Sequence, residues 1–228
     1  MEKPGRSEGL DKKIMRATPV NIPMESLLLA LHVDSEDSRA LIIERILREA
    51  SEIAQPVGLY APFAPELTSD EVFINGVRFG EPFVYSMLSG SHTVVPYVAS
   101  CGIEIDTWSK QFKDPFEQLI IDTFMEMSLL KSRGILQDRV KAELFDKTKN
   151  ISSINPGSLV EWPLTGQTAL FEVLDGATED IGVILTDALW MFPVKTVSGI
   201  FFQSDVAYEN CQLCPRVDCL KRRAEYIC

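Results

Sequence analysis

The residues best suited to chemistry in this chain are four cysteines crowded at its C-terminal end, Cys211, Cys214, Cys219 and Cys228, spaced C-x2-C-x4-C-x8-C. A CxxC step lets two thiolates reach one metal from a tight turn, and Pro215 helps keep that turn out of a helix. Three or four thiolates at these separations suit an iron–sulfur cluster or a tetrahedral zinc. The spacing matches neither ferredoxin pattern, and zinc ribbons usually hold their two CxxC pairs further apart, so the metal stays open between the two. Cys228 ends the given sequence, which leaves room for a three-cysteine site with an open position. Lys221, Arg222 and Arg223 stand beside these thiols and favour the thiolate that binds metal. The plain alternative is a reduced, unoccupied tail.

Elsewhere such residues are sparse. The chain has 2 histidines, which argues against a His-rich zinc site. Of these, His92 follows Ser91 among small residues, and no motif supplies an acid partner. It reads as a hydrogen-bonded loop or core histidine rather than a base. Cys101 follows an apolar run and precedes Gly102, the setting of a small buried hydrophobe. Neither GxGxxG nor GxxxxGK[ST] occurs, so no phosphate loop is encoded, and there is no GxSxG elbow. Trp108, Trp162, Trp190 and Phe192 read as core or groove wall.

The elements that must position these residues are legible in part. A helix is expected from Asp34 or Ser35, with Ala40, Ile43, Ile46, Leu47, Ala50 and Ile53 at helical spacing and a stop at Pro56 and Gly58. Val72–Ile74 and Val77–Phe79 flank Asn75-Gly76, the strongest short hairpin signal. An apolar core segment runs from Val94 to Ala99, then turns at Gly102. A long amphipathic helix follows, with Phe116, Leu119, Ile120, Thr123, Phe124, Met127 and Leu130 on one face, a pause at Gly134, and a resumption through Val140, Leu144 and Phe145. Residues 150–163 read as loop. Thr165 is expected to cap a short helix, and three β-rich pieces cover 183–185, 188–192 and 197–202.

Helices mixed with hairpin-type strands, and no regular βαβ alternation, argue for an α+β domain with an antiparallel sheet. The expected division is a flexible tail over 1–15, one domain over 16–208, and a cysteine-rich tail over 209–228. With 228 residues, 46% hydrophobic and 24% charged, the chain is ordinary globular material. Its net charge of −11 and pI near 4.7 argue against a nucleic-acid partner. No apolar run reaches the ~20 residues of a membrane helix, and no secretory signal is visible, so the expectation is a cytoplasmic protein with no membrane partner.

Two blocks of sequence carry a resemblance. One is Pro156-Gly157-Ser158-Leu159-Val160-Glu161-Trp162-Pro163-Leu164-Thr165-Gly166-Gln167, followed by Leu170-Phe171-Glu172-Val173-Leu174. The other is Leu185-Thr186-Asp187-Ala188-Leu189-Trp190-Met191-Phe192-Pro193, leading into Thr196–Phe202. In this order they resemble the reactivation (AdoMet-binding) domain of cobalamin-dependent methionine synthase, and more closely its stand-alone bacterial form. Val98–Asp106 and the helix after it fit the same family, so the likeness covers roughly residues 90–208.

The resemblance implies a curved α+β domain around a twisted antiparallel sheet that caps a corrinoid and presents S-adenosylmethionine to its cobalt. It implies an accessory role in reductive reactivation and remethylation of cobalamin, with cobalamin on a partner, a corrinoid-binding protein or a methionine synthase-like enzyme. The contribution of such a domain is proximity and orientation of the sulfonium methyl. The family signature is Arg-x-x-x-Gly-Tyr. The matching positions here are Ser153, Gly157 and Ser158, so the glycine is kept and the arginine and tyrosine are replaced. Tyr208 corresponds to a ligand-contacting tyrosine near the last strand. A second reading is a non-catalytic binding module, its S-adenosylmethionine groove degenerate and its tail stapled by a structural metal. A third, an independent small-molecule methyltransferase, lacks a substrate base.

Overall fold

The computed structural model describes residues 11–16, 21–216, 222 and 224–227. Ten strands and six α-helices alternate irregularly along them. The strands are β1 (Lys13–Arg16), β2 (Val57–Tyr60), β3 (Glu66–Leu67), β4 (Val72–Ile74), β5 (Val77–Phe79), β6 (Val94–Ser100), β7 (Asn150–Ile154), β8 (Ile184–Leu185), β9 (Met191–Phe192) and β10 (Thr196–Ser204). The helices are α1 (Met24–Leu31), α2 (Arg39–Ile53), α3 (Pro82–Leu88), α4 (Ile103–Ser109), α5 (Pro115–Leu144) and α6 (Gly166–Val173).

The main sheet has five strands in the order β1-β2-β6-β10-β7, every neighbouring pair antiparallel. Strand alternation decides what each face meets. Tyr60, Val95, Tyr97, Ala99 and Phe201 point to a layer built by α1, α2 and α5, and Ile43, Ile46, Ile120, Phe124 and Leu136 fill the space between. Val94, Ile154, Ile200 and Phe202 point the other way, onto Trp162, Leu170, Val173 and the three-stranded sheet β3-β4-β5. The expected α+β class, with an antiparallel sheet flanked by helices, is what the chain adopts.

Local signals mostly hold. Asn75 and Gly76 both have positive φ, +50° and +73°, as a type I′ turn demands. The first long helix buries Ala40, Ile43, Ile46 and Ala50 as its spacing requires, but it begins at Arg39. Asp37, not Asp34 or Ser35, takes the Arg39 N–H at 2.8 Å. The pause at Gly134 does not occur. α5 runs unbroken for 30 residues, because Asp114 caps it by accepting from Phe116 and Glu117 and the packed face carries it past one unfavourable glycine. Its buried face also differs from the expected one: Leu119 and Leu130 lie about half exposed, while Ile121, Met125, Ser128, Ser132 and Arg133 are inside.

Two further corrections concern the surface and the C-terminal half. The first part of the expected loop at 150–163 is strand β7, edge partner of β10, and Ser152 and Ser153 on it are buried. Its serines hide the strand from any apolar pattern. Trp190 is 64% exposed on the β8–β9 hairpin, so it is neither core nor the wall of an enclosed groove. His92 is exposed in the loop before β6. Cys101 is fully buried, and burial, then the neighbouring Asp106, pushes its thiol up to about 12. Among the described residues no helix is long and apolar enough to cross a membrane.

Candidate functional site

Between the end of β7 and the start of α6 the chain makes a tight loop. Gly157 donates its N–H to the Trp162 carbonyl at 2.8 Å, and Gly166 donates to Pro163 at 2.9 Å. Trp162 anchors the loop from below. Its side chain is fully buried and meets Phe79 edge-on at 6.4 Å. Gly157 sits at φ +79°, where an L side chain is strained, and a Cβ there would stand 2.8 Å from Leu164 Cδ1.

This loop forms one wall of an open groove of about 530 Å³ lined by Gly157, Ser158, Glu161 and Leu164. The opposite wall is the C-terminal tail: Leu213, Pro215 and Tyr226. Among the described lining residues Glu161 is the one charged side chain. The groove therefore offers carboxylate, hydroxyl, main-chain and apolar surface, and suits a ligand with a cationic centre better than an anion.

The tail is rooted in the sheet by a buried polar chain. Arg133, on α5 and 7% exposed, donates Nε–H to the Tyr97 hydroxyl at 3.1 Å and Nη2–H to Ser153 Oγ at 2.6 Å. Its guanidinium also lies over the Tyr97 and Phe201 rings, at 5.9 and 5.6 Å from their centroids. Asn155 donates to the same Tyr97 hydroxyl at 2.8 Å and to the Ser198 carbonyl at 2.7 Å. Its side-chain oxygen accepts from Asn210 at 3.2 Å. Asn210 opens a single 3-10 turn, Asn210–Gln212, which carries Cys211.

The sequence-predicted ligand residues do not converge. Gly157 and Ser158 line the groove. Tyr208 lies beneath the loop, its ring against Phe83 at 6.3 Å. Burial, and then the charges of Glu161, Glu209 and Cys211, push its hydroxyl up to about 12. Ser153 faces the helical layer on the far side of the sheet, where Arg133 holds it. Cys211 and Cys214 are half-buried thiols, whereas Cys219 and Cys228 lie outside the described residues. Among the described residues no group of three or more His, Cys, Asp or Glu side chains is placed to hold a metal.

Sequence reasoning missed Arg133, and it gave Arg222 an electrostatic effect on the thiols rather than the main-chain contacts it makes. Arg133 could have been found: it stands on the apolar stripe of α5 between Leu129 and Leu136, where a charge must have buried partners. Arg222 donates to the carbonyls of Cys211 at 2.7 Å, Cys214 at 3.0 Å and Ala224 at 3.3 Å, and also to that of Arg216. No periodicity announces such a contact.

No family model matches this sequence, and no curated protein does. Solved structures do match in fold. One is described as the MetH reactivation domain bound to AdoHcy. It superposes with a TM-score of 0.61 at 14% identity, over 91% of this chain and 83% of that one. At that identity the likeness establishes a shared fold, and the fold of this chain is similar to that of a methionine synthase reactivation domain.

Proposed function

We propose that this chain is a cytosolic accessory of a corrinoid enzyme, assisting reductive reactivation of a partner-bound cobalamin, with the groove beside Gly157 receiving an S-adenosyl ligand. The observation that supports it most is the fold likeness across 91% of the chain to a reactivation domain that binds AdoHcy. The two sequence blocks of the resemblance fold into the groove loop and the β8–β10 region, which agrees with this reading.

The fit of an S-adenosyl ligand is uneven. A sulfonium carries positive charge, and Glu161 offers it a partner on the groove wall. The ring of Tyr226 supplies a flat surface for an adenine. The methionyl carboxylate, by contrast, meets no cationic side chain among the described lining residues. Losing one charge-assisted bond of this kind costs about 1.5–3 kcal/mol, a tenfold to hundredfold weakening. Bound there, the ligand supplies the methyl cation equivalent; the chain's own residues orient it and keep it at the groove mouth.

That no cationic side chain stands among the described lining residues also favours the second reading, a binding module whose groove takes no S-adenosyl ligand. One experiment separates them. Purified protein is titrated with S-adenosylmethionine and S-adenosylhomocysteine, thermal unfolding is followed, and methylcobalamin formation from cob(II)alamin with a chemical reductant is measured on a corrinoid-binding partner. A ligand at 100 times its Kd adds about 2.7 kcal/mol of stability. A rise in Tm with faster methylcobalamin formation supports the accessory role. An unmoved Tm at millimolar ligand leaves the binding module in place.

A further inference from the structure

The tail turn brings together features that metal ligation does not require. Leu213 N–H bonds back to the Asn210 carbonyl at 3.2 Å, closing a 3-10 turn. The turn carries Cys211, and Cys214 follows two residues after its end, so the C-x2-C spacing keeps the two cysteines close along the chain. The turn is fixed at both ends. Its first residue, Asn210, is 6% exposed and bonded to Asn155, and Glu209 and Gln212 form a reciprocal capping box around it. The carbonyls of Cys211 and Cys214 both accept from the guanidinium of Arg222, at 2.7 and 3.0 Å. One planar cation therefore sets the spacing of the main chain at the two cysteines.

We propose that Cys211 and Cys214 are a thiol–disulfide pair, oxidised by a small-molecule disulfide of the glutathione class, and that its state sets the stiffness of the groove wall. The thiolate of one cysteine attacks a sulfur of the oxidised glutathione, releasing one glutathione thiolate. The second cysteine thiolate attacks the mixed disulfide and releases the other. Two protein thiols lose two protons and two electrons, and one glutathione disulfide becomes two glutathione thiols. Both cysteines are half-buried, within reach of a small reagent, whereas Cys101 is fully buried and its thiol is held up to about 12. Leu213, between the two cysteines, and Pro215, after them, are themselves groove wall. The pairing does not depend on what the groove binds.

The sequence makes the test direct. Lys195 and Arg216 bound a tryptic peptide, residues 196–216, that contains Cys211 and Cys214 and no other cysteine. Full-length protein is equilibrated across a series of reduced to oxidised glutathione ratios, alkylated, and digested without reduction. The expected product at the oxidising end is peptide 196–216 unalkylated and lighter by two hydrogens. It should also form in the Cys219→Ser/Cys228→Ser double variant. Arg222→Met is expected to shift the midpoint ratio toward the thiols by roughly tenfold, about 30 mV for two electrons. Amide exchange over residues 209–216 is expected to slow in the oxidised form. A peptide alkylated or glutathionylated at both cysteines across the whole series overturns the pair, as do cross-links to the peptides carrying Cys219 or Cys228, or zinc retained by both thiols throughout. Equal exchange rates in the two forms overturn the link to the wall.

Discussion

Replacing Arg133 by methionine tests the buried polar chain that ties the tail to the sheet. Methionine fills much of the arginine stem and removes the guanidinium. Two buried acceptors then lose a charged donor: Ser153 Oγ, held at 2.6 Å, and the Tyr97 hydroxyl, held at 3.1 Å. A buried group left without its partner costs about 1–3 kcal/mol. Tyr97 keeps Asn155 at 2.8 Å, so its share lies at the low end. The packing of the guanidinium over Tyr97 and Phe201 adds about 1 kcal/mol. Against these stands the relief of not burying a charge, several kcal/mol in principle, which is why a buried charge is weak evidence of stability. The bonds and ring contacts are expected to win, with a net loss of about 2–4 kcal/mol. Urea unfolding followed by tryptophan fluorescence reads it as a midpoint lower by roughly 1–2 M. Ser153→Ala should cost about 1–2 kcal/mol alone, and a double-mutant cycle should return a coupling of about 0.5–3 kcal/mol. An Arg133→Met midpoint equal to or above the wild type, with no coupling to Ser153, would refute the reasoning: desolvation would then outweigh every bond the guanidinium makes.

Other outcomes follow from the same geometry. Glu143 accepts from Arg139 at 2.8 Å, Tyr60 at 2.8 Å and Lys13 at 3.0 Å, and these bonds, Arg139 first, lower its carboxyl from 4.5 to about 2. Its contribution to stability is therefore full above pH 4.5 and is lost as pH falls toward 2, since the unfolded chain binds the proton first. Glu143→Gln should flatten that acid limb of the urea midpoint, and parallel curves would count against the network. Gly157→Ala forces an alanine to φ +79° with its Cβ 2.8 Å from Leu164. It should cost about 1–2 kcal/mol by denaturation, and an unchanged midpoint would mean that the loop relaxes freely. Ser153→Arg introduces the arginine of the signature that the resemblance implies, yet it drives a second cation against buried Arg133. Loss of soluble, folded protein is expected, and a stable variant that gains S-adenosylmethionine affinity would overturn the placement of Ser153.

How much of this was legible beforehand depended on the range of each signal. The Asn75-Gly76 turn, the α2 stripe and the all-apolar β6 are written within a few residues, and the structure keeps all three. β7 reads as loop in the sequence because its buried positions are Ser152, Ser153 and Ile154, and two of those three are polar. Their burial is made tolerable from a distance: Ser153 by Arg133, and Ser152 by the N–H of Tyr208 at 2.8 Å and by Ser204. The unbroken α5 is hidden in the sequence for a related reason. A glycine costs a helix about 1 kcal/mol, and that is outweighed by a buried face that continues past it with Leu136 and Val140. The groove is half legible: the sequence points to Gly157 and Ser158, while the opposite wall comes from some fifty residues further along the chain.

The register of β7 explains why Ser153, which the resemblance sets against an arginine, does not line the groove. Side chains alternate along a strand, so if Ile154 packs with Trp162 on one face, Ser153 must look to the other. Residue 153 pairs with Phe201, whose ring also faces the helical layer and stacks on Tyr97 at 3.9 Å. A guanidinium is indeed present there, but it is donated by α5 to Ser153 from behind the sheet, not carried by β7 toward the front. Its electrostatic reach is spent on Tyr97, Ser153 and Gln137. Among the described lining residues the groove thus has Glu161 and no cation. Because Asn155 is the joint through which the Arg133 layer grips Asn210, the same interior that holds Arg133 behind the sheet fixes the turn that carries Cys211.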